Sequence, residues 1–141
     1  MTVLSTVFLS LLIALPSPPT REIERAFLEN SPEVLKGLLI SSGDVPVSLP
    51  DPLSCADQLS PDQVYFLFKQ VFGVFKTTEF YVDSRVSTLP GKPGGILNAR
   101  WSFRNQKTGN QFPFRVFFYL RPERRPSGMM LKIVEIRAER L

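Results

Sequence analysis

The chain has 141 residues, of which 43% are apolar, 21% charged and 11% aromatic, a size and composition that suit one globular domain. It contains no histidine and a single cysteine, Cys55. These counts exclude a Ser-His-Asp triad, histidine-ligated zinc, thiolate metal clusters and an intrachain disulfide.

The N-terminal part of the chain carries an apolar run. Residues 3–15, VLSTVFLSLLIAL, are uncharged and fall short of the roughly 20 residues that a membrane-spanning helix needs. The length is typical of the hydrophobic region of a secretory signal peptide, and PSPP follows as a helix breaker, although no Lys or Arg precedes the run. We predict a signal peptide over residues 1–20, no stable membrane span, and one exported domain over residues 21–141, periplasmic or extracellular in a bacterium.

Two short helices are predicted to open this domain. Thr20 precedes REIERAFLEN as an N-cap residue, and Ser31 followed by proline is a typical start for the second helix. A short strand over 45–49 contains Pro46, which favours a position at a sheet edge. Residues 50–59 are expected to form a linker.

The strongest helical pattern covers residues 61–75. Ser60 and Gln63 can form a capping box at its start. Its apolar residues recur at the spacing of one helix face: Val64, Leu67, Phe68, Val71, Phe72 and Phe75. Because only a narrow polar stripe remains, we expect this helix to lie across a sheet and to be almost covered by it.

Four strands follow without another helix, at 79–88, 96–104, 111–120 and 129–138. The segments between them contain glycine and other turn-forming residues, so consecutive strands should pair as an antiparallel meander. The sequence therefore predicts an α+β fold with the order α-α-β-α-β-β-β-β, in which the N-terminal helices pack on an antiparallel sheet.

This order of elements resembles the nuclear transport factor 2-like (cystatin-like) fold superfamily. The likeness is carried by the capped helix SPDQVYFLFKQVFGVF, by the strand FRVFFYL after a KTGN turn, and by the closing LKIVEIRAER. Over residues 21–141 the chain looks like small exported bacterial proteins of unknown function with that fold. The resemblance implies a cone in which a curved sheet wraps around the helices, and it includes no catalytic signature.

The inward-facing positions of the first three long strands are almost all apolar: Phe80, Val82, Ser84, Val86, Leu97, Ala99, Trp101, Phe103, Phe112, Phe114, Val116, Phe118 and Leu120. Enzymes of the resembled superfamily, such as ketosteroid isomerases and dehydratases, place Asp, His or Tyr inside the cone. Here no carboxylate shares the inward faces before Glu135, since Glu79 and Asp83 have the opposite parity. We therefore expect a non-catalytic protein without cofactor or metal, and the alternative is a small-molecule enzyme of isomerase or dehydratase type.

The opposite strand faces carry a basic and aromatic set of candidate binding residues: Arg85, Arg100, Arg104, Arg115, Phe117, Tyr119 and Arg121. Residues 85–141 hold 12 Lys/Arg and 3 Asp/Glu, a net charge of +9. Such a face has three interpretations: a solvated surface on which arginine stems cover the rings, a face for a homodimer or another protein partner, or a surface for an anionic polymer or lipid headgroups. Export argues against nucleic acid. We predict a binding or assembly module.

Either parity of the last strand could face outward. Inward positions are expected for Met130, Val134, Ile136 and Ala138, and Lys132 interrupts that set. This choice leaves Met129, Leu131, Ile133, Glu135 and Arg137 facing outward. Neither set is consistent, so a β-bulge that switches the parity within the strand is a further possibility.

Overall fold

The protein was studied as a computed structural model, which describes residues 16–88 and 93–141. The described chain forms three helices and six strands: α1 (Thr20–Leu28), α2 (Pro32–Gly37), β1 (Val45–Leu49), β2 (Cys55–Leu59), α3 (Pro61–Val74), β3 (Phe75–Thr88), β4 (Gly95–Asn105), β5 (Gln111–Arg125) and β6 (Gly128–Arg140). Of the predicted signal peptide, residues 1–15 lie outside the described part, whereas residues 16–20 are described and Thr20 begins α1. No helix in the described ranges has the length and apolar character needed to cross a membrane.

The strands form one curved sheet that does not close, in the order β2-β1-β6-β5-β4-β3. β3 to β6 pair as the predicted antiparallel meander, while β1 runs parallel to β6. The α+β class is therefore confirmed, although the parallel β1–β6 pair makes the sheet mixed. In chain order, two helices precede β1 and the third lies between β2 and β3. All three pack on one face of the sheet.

The prediction of an edge strand at 45–49 and a linker at 50–59 was wrong in part. β1 lies inside the sheet, between β2 and β6, and Cys55–Leu59 is the true edge strand. Pro46 is tolerated in β1 because pairing with β6 is confined to Val47 and Ser48. β2 is mostly exposed and lacks an apolar alternation, so the usual sequence signal for a strand is missing.

Helix starts were predicted with mixed success. At α2, the Ser31 hydroxyl accepts a hydrogen bond from the amide of Val34 at 3.2 Å, as expected. At α3, the capping box is present in both directions between Ser60 and Gln63. At α1 the prediction was wrong: Thr20 is already helical, the cap position belongs to Pro19, and no side chain caps the helix.

α3 is less covered than predicted. Its buried inner face consists of Val64, Phe68, Val71 and Phe72. On the outer side, Phe66 is 59% exposed. The helix packs chiefly on α2, and its inner face contacts β1, β2 and β3 and, through Phe72, Trp101 of β4, which leaves its outer side in solvent. The last predicted helical residue, Phe75, instead begins β3.

The core lies between the helices and the inner face of the sheet, and aromatic rings dominate it. The Phe27 ring of α1 lies in the middle, with its centroid 4.5 Å from that of Phe80, 5.0 Å from that of Trp101 and 5.7 Å from that of Phe118. The predicted inward positions of β4 and β5 are buried, apart from the partly buried Phe112: Leu97, Ala99, Trp101, Phe103, Phe114, Val116, Phe118 and Leu120. Ser84 and Val86 have side chains outside the described part.

β6 contains the parity switch. Tyr119 of β5 pairs with Glu135, but the next residue, Leu120, pairs with Ile133, so Val134 is the extra residue of a bulge. Ile133 is therefore fully buried, and its predicted outward position was wrong. Beyond the bulge Met130 is 43% exposed, which also contradicts its predicted inward position.

The β5–β6 hairpin is longer than predicted. β5 continues to Arg125, and its pairing ends only at Gly128, across a two-residue turn. Next to this hairpin, the segment after α2 pairs with β6: the Ile133 amide donates to the Leu38 carbonyl at 2.8 Å, and the Ile40 amide donates to the Ile133 carbonyl at 3.0 Å. These bonds fix the end of α2 beside the hairpin.

Candidate functional site: the outer face of the sheet

The register of β4, β5 and β6 places nine residues of the outer face in three cross-strand rows. The first row is Ile96, Tyr119 and Glu135; the second is Asn98, Phe117 and Arg137; the third is Arg100, Arg115 and Glu139. The alternation of the strands produces this arrangement, since the residues between these positions point into the core. We call these nine residues the outer-face patch.

The structure brings together part of the predicted set. Phe117 and Tyr119 lie at the centre of the outer-face patch and are half-buried, whereas Arg100 and Arg115 are exposed beside them. Arg104 lies farther along β4, opposite Gln111.

Two predicted residues lie away from the patch or cannot be placed on it. Arg121 lies on β5, beyond the point that faces the β6 bulge. It is exposed and pairs with Lys132 of β6. The side chain of Arg85 lies outside the described part. The predicted basic face is therefore distributed along the strands rather than gathered at one point.

A concavity of about 430 Å³ opens on the patch. Its lining includes Ile96, Asn98, Phe117, Tyr119 and Arg137. The predicted aromatic pair therefore forms part of a recess. Of the arginines on the patch, only Arg137 borders it.

Arg137 was predicted to face outward on the last strand, and it does, but it was not included among the predicted binding residues. It lies directly opposite Phe117, and its Nη1 donates a long hydrogen bond of 3.4 Å to the Tyr119 hydroxyl. The pairing register would have identified it, but the register depends on the bulge at Val134, whose position no sequence pattern marks. With Arg137 included, the recess offers two rings, one amide, one guanidinium, the Glu139 carboxylate and two serine hydroxyls.

Charge is distributed unevenly across the outer-face patch. Arg100 lies on β4, whereas Glu135 and Glu139 lie on β6. Arg115, on the central strand, faces Arg100 on one side and Glu139 on the other. A cation opposite a cation is unfavourable, and the neighbouring carboxylate offsets it. Because β6 also carries Arg137, the β4 edge of the patch has one positive charge and the β6 edge has one net negative charge.

The side of the sheet that faces the helices has a different character. Phe27, Phe68, Phe72, Phe80 and Trp101 fill the space there with rings whose centroids lie 4.5 to 6.3 Å apart in the contacting pairs. The Trp101 indole N–H is satisfied by the Thr77 hydroxyl at 2.9 Å. Around Phe27 and Trp101 this side is packed core.

Acidic side chains follow the same division. Glu79 and Asp83 are exposed on β3, as their parity predicted, and Glu135 pairs with Tyr119 on the outer face. Within residues 16–88 and 93–141, no group of three or more His, Cys, Asp or Glu is arranged to hold a metal ion.

Comparison with solved structures places this architecture among known folds. A ketosteroid isomerase-like protein from Erwinia carotovora atroseptica superposes with a TM-score of 0.59 at 13% identity, covering 82% of this chain and 85% of the other. A nuclear transport factor 2-like protein of unknown function in nutrient uptake from Rhodospirillum rubrum gives 0.60 at 15% identity, covering 86% and 93%. The chain has a nuclear transport factor 2-like fold.

A hypothetical protein with a ketosteroid isomerase-like fold from Catenulispora acidiphila is a further similar structure, with a TM-score of 0.56 at 10% identity and coverage of 87% and 86%. No family model matches the chain, and no curated protein matches it. At these identities the likeness shows the nuclear transport factor 2-like fold alone. The activity has to be argued from the residues.

Proposed function

We propose that this protein is a non-catalytic assembly module whose outer-face patch binds a second copy of the same chain. The observation that carries the proposal is the contrast between the two faces of the sheet. The inner side is filled by aromatic core residues around Phe27, whereas Phe117 and Tyr119 line an open recess on the outer side. Recognition therefore falls to the outer face.

The chemistry of the outer-face patch suits a protein interface. Tyr, Phe and Arg are enriched at such interfaces, and Lys is depleted. The patch holds Phe117, Tyr119 and three arginines, and none of its nine residues is lysine. The rings are half-buried, and a partner that covered them would remove their remaining apolar surface from water.

The charge distribution favours a second copy as the partner. A two-fold axis along β5 would place β4 of one copy opposite β6 of the other. Arg100 and Glu139 belong to the same cross-strand row, so each would face its complement in the second copy, twice per dimer. The same axis would place Arg115 opposite Arg115 of the second copy, and the flanking Glu139 carboxylates would offset that repulsion. The two Arg100–Glu139 pairs support a homodimer over binding to a uniformly anionic polymer or lipid surface.

The location of this module is proposed on sequence grounds. The apolar run at 3–15 supports export, with residues 21–141 acting in the periplasm or outside a bacterial cell. The solved structures with the same fold include bacterial proteins. An exported domain that relies on its aromatic core needs no disulfide.

The test is sedimentation equilibrium of the full chain across protein concentration. We expect a dimer that the double change Phe117→Ser with Tyr119→Ser converts to a monomer, with the melting temperature of the dilute protein unchanged. Phe66→Ser is the matched control, because Phe66 is an exposed ring on α3. A monomer at every concentration for the wild-type chain would overturn the proposal.

A further inference from the structure

A second polar cavity lies on the other side of the molecule from the outer-face patch. It has a volume of about 560 Å³ and opens between α2, the segment 39–41, the first residues of α3 and the β5–β6 hairpin. Its walls are apolar at Leu39, Ile40 and Pro61. Its polar lining includes a buried lysine, Lys132.

Lys132 is the only charged residue among the buried described positions, with 6% of its surface exposed. Its ammonium donates one hydrogen bond, of 2.8 Å, to the Gly37 carbonyl at the end of α2. In the described part of the chain, this neutral acceptor is its single hydrogen-bond partner, and it forms no ion pair. An ammonium has three donors, so two remain for a group in the cavity.

Arg125 is a second cation on the wall of this cavity. Its Nε lies 3.0 Å from the Glu123 carboxylate as an ion pair, but this buried atom has no hydrogen-bond partner among the described residues. The pKa of Lys132 is lowered by burial and then by the positive charge of Arg125, with Glu123 opposing the shift. Two cations with unused donors therefore lie close together at one cavity.

The acidic groups around the cavity are already engaged. Asp62 pairs with Lys36 at 2.7 Å, and Glu33 accepts a hydrogen bond of 3.1 Å from the Tyr65 hydroxyl. Glu123 accepts two bonds from Ser41, from the amide at 3.0 Å and the hydroxyl at 2.6 Å. Among the described residues, Lys132 donates no hydrogen bond to a carboxylate, and the buried Arg125 Nε has no hydrogen-bond partner.

We propose that this cavity binds a small oxyanion, a carboxylate or phosphate group, between Lys132 and Arg125. An oxyanion would give the buried ammonium the charge-assisted bonds that it lacks, and it would offset the repulsion between the two cations. The apolar wall at Leu39, Ile40 and Pro61 would contact a short hydrocarbon part of an organic anion. This site is separate from the outer-face patch and does not depend on dimer formation.

The competing explanation for the buried Lys132 is that it has a structural role alone. A lysine at the C-terminal end of a helix satisfies carbonyl groups and interacts favourably with the helix dipole. Lys132 does this at Gly37. That role predicts a loss of stability when the lysine is replaced, and it predicts no affinity for anions.

The experiment is an NMR titration of the 15N-labelled full chain. Sodium acetate, sodium butyrate and sodium phosphate are added separately, and sodium chloride at equal ionic strength is the control. We expect saturable amide shifts at Gly37, Ser41 and Lys132 with an oxyanion but not with chloride. A preference of butyrate over acetate supports an organic carboxylate, and a preference for phosphate supports a phosphate group.

Two variants and a matched control make the result decisive. Lys132→Met and Arg125→Gln should each raise the dissociation constant at least tenfold, because each removes a charge-assisted contact. Lys107→Met, in the exposed β4–β5 turn, should bind as the wild type does. If Lys132→Met fails to fold, Arg125→Gln decides. Shifts identical to those of chloride, or wild-type affinity in the folded site variants, would overturn the proposal.

Discussion

The rings of Phe27 in α1 and Phe80 in β3 stack with their centroids 4.5 Å apart and their planes 12° from parallel. Both are at least 96% buried. This contact joins the first helix to the edge of the meander, and edge-to-face contacts join Phe27 to Phe68, Phe72 and Trp101. The Phe27 side chain of α1 therefore contacts both α3 and the sheet.

Replacement of that side chain should be costly. We expect Phe27→Ala to lower the free energy of unfolding by about 3–5 kcal/mol, because it removes a large buried ring and leaves a cavity among other rings. Phe66→Ala, at the exposed ring of α3, should change it by less than about 1 kcal/mol. Urea unfolding of both variants measures the difference. Equal effects would mean that Phe27 does not occupy the centre of the core.

Much of this fold could be predicted because its strong signals are local. The capping residues at Ser31 and Ser60, the helical spacing of α3 and the alternation of β4 and β5 depend on neighbours in the sequence. The aromatic core followed from the same alternation. Nothing in these patterns required knowledge of the sheet order.

The errors occurred where pairing between distant segments decides the structure. β2 exists because it pairs with β1, and its own residues are mostly exposed. The bulge at Val134 determines whether Ile133 is buried and where Arg137 lies, and it results from the pairing of β5 with β6. The sequence therefore predicted Phe117 and Tyr119 of the outer-face patch but did not include Arg137 of β6 among the binding residues. The oxyanion cavity lies among segments that are distant in the chain and could not be assembled from local patterns.

Acid should weaken the network at the β5–β6 hairpin. The pKa of Glu123 lies below its ordinary value of 4.5, because the Ser41 hydroxyl and amide donate to the carboxylate and Arg125 lies beside it. A carboxyl group with a lowered pKa in the folded state contributes stability above the unfolded-state pKa, and that stability is lost as the pH falls through the folded-state value. The loss should therefore begin below about pH 5.

Glu123→Gln tests this effect. The variant should be less stable than the wild type at pH 7, and the difference between their melting temperatures should shrink as the pH falls from 5 to 3. Asp44→Asn, in the exposed segment before β1, is the control for removing one carboxylate. A constant difference between wild type and Glu123→Gln across this range would contradict the assignment.

Processing of the N-terminus tests the proposed export. If residues 1–20 act as a signal peptide, mature protein recovered from the producing cells should begin near residues 17–21 and occur in the periplasmic or extracellular fraction. Edman sequencing and intact mass of the fractionated protein give the answer. Protein that retains Met1 in the soluble cytoplasmic fraction would refute export and would leave the dimer and the oxyanion site untouched.

The pairing of Arg100 with Glu139 across the proposed dimer can be tested by exchanging their charges. In a homodimer of Arg100→Glu, the new carboxylate would face Glu139 of the second copy twice, and in Glu139→Arg two guanidinium groups would face each other twice. Each homodimer should be weakened by roughly five- to thirtyfold, as expected for partly exposed charge pairs that become repulsive. A mixture of the two variants behaves differently. In the mixed dimer, the new Glu at 100 faces the new Arg at 139, and the unchanged Arg100 faces the unchanged Glu139.

The mixed dimer should therefore recover an affinity close to that of the wild type, although each component alone is weakened. Sedimentation velocity of the two variants, singly and mixed, with one carrying a fluorescent label, measures all three affinities at low salt, where surface charges are least screened. Arg121→Glu is the matched control, since Arg121 is exposed on β5 but lies beyond the bulge and outside the outer-face patch. Weakened homodimers without recovery in the mixture would place Arg100 and Glu139 at the interface but not opposite each other, and the axis along β5 would be wrong. Unchanged homodimers would remove both residues from the interface.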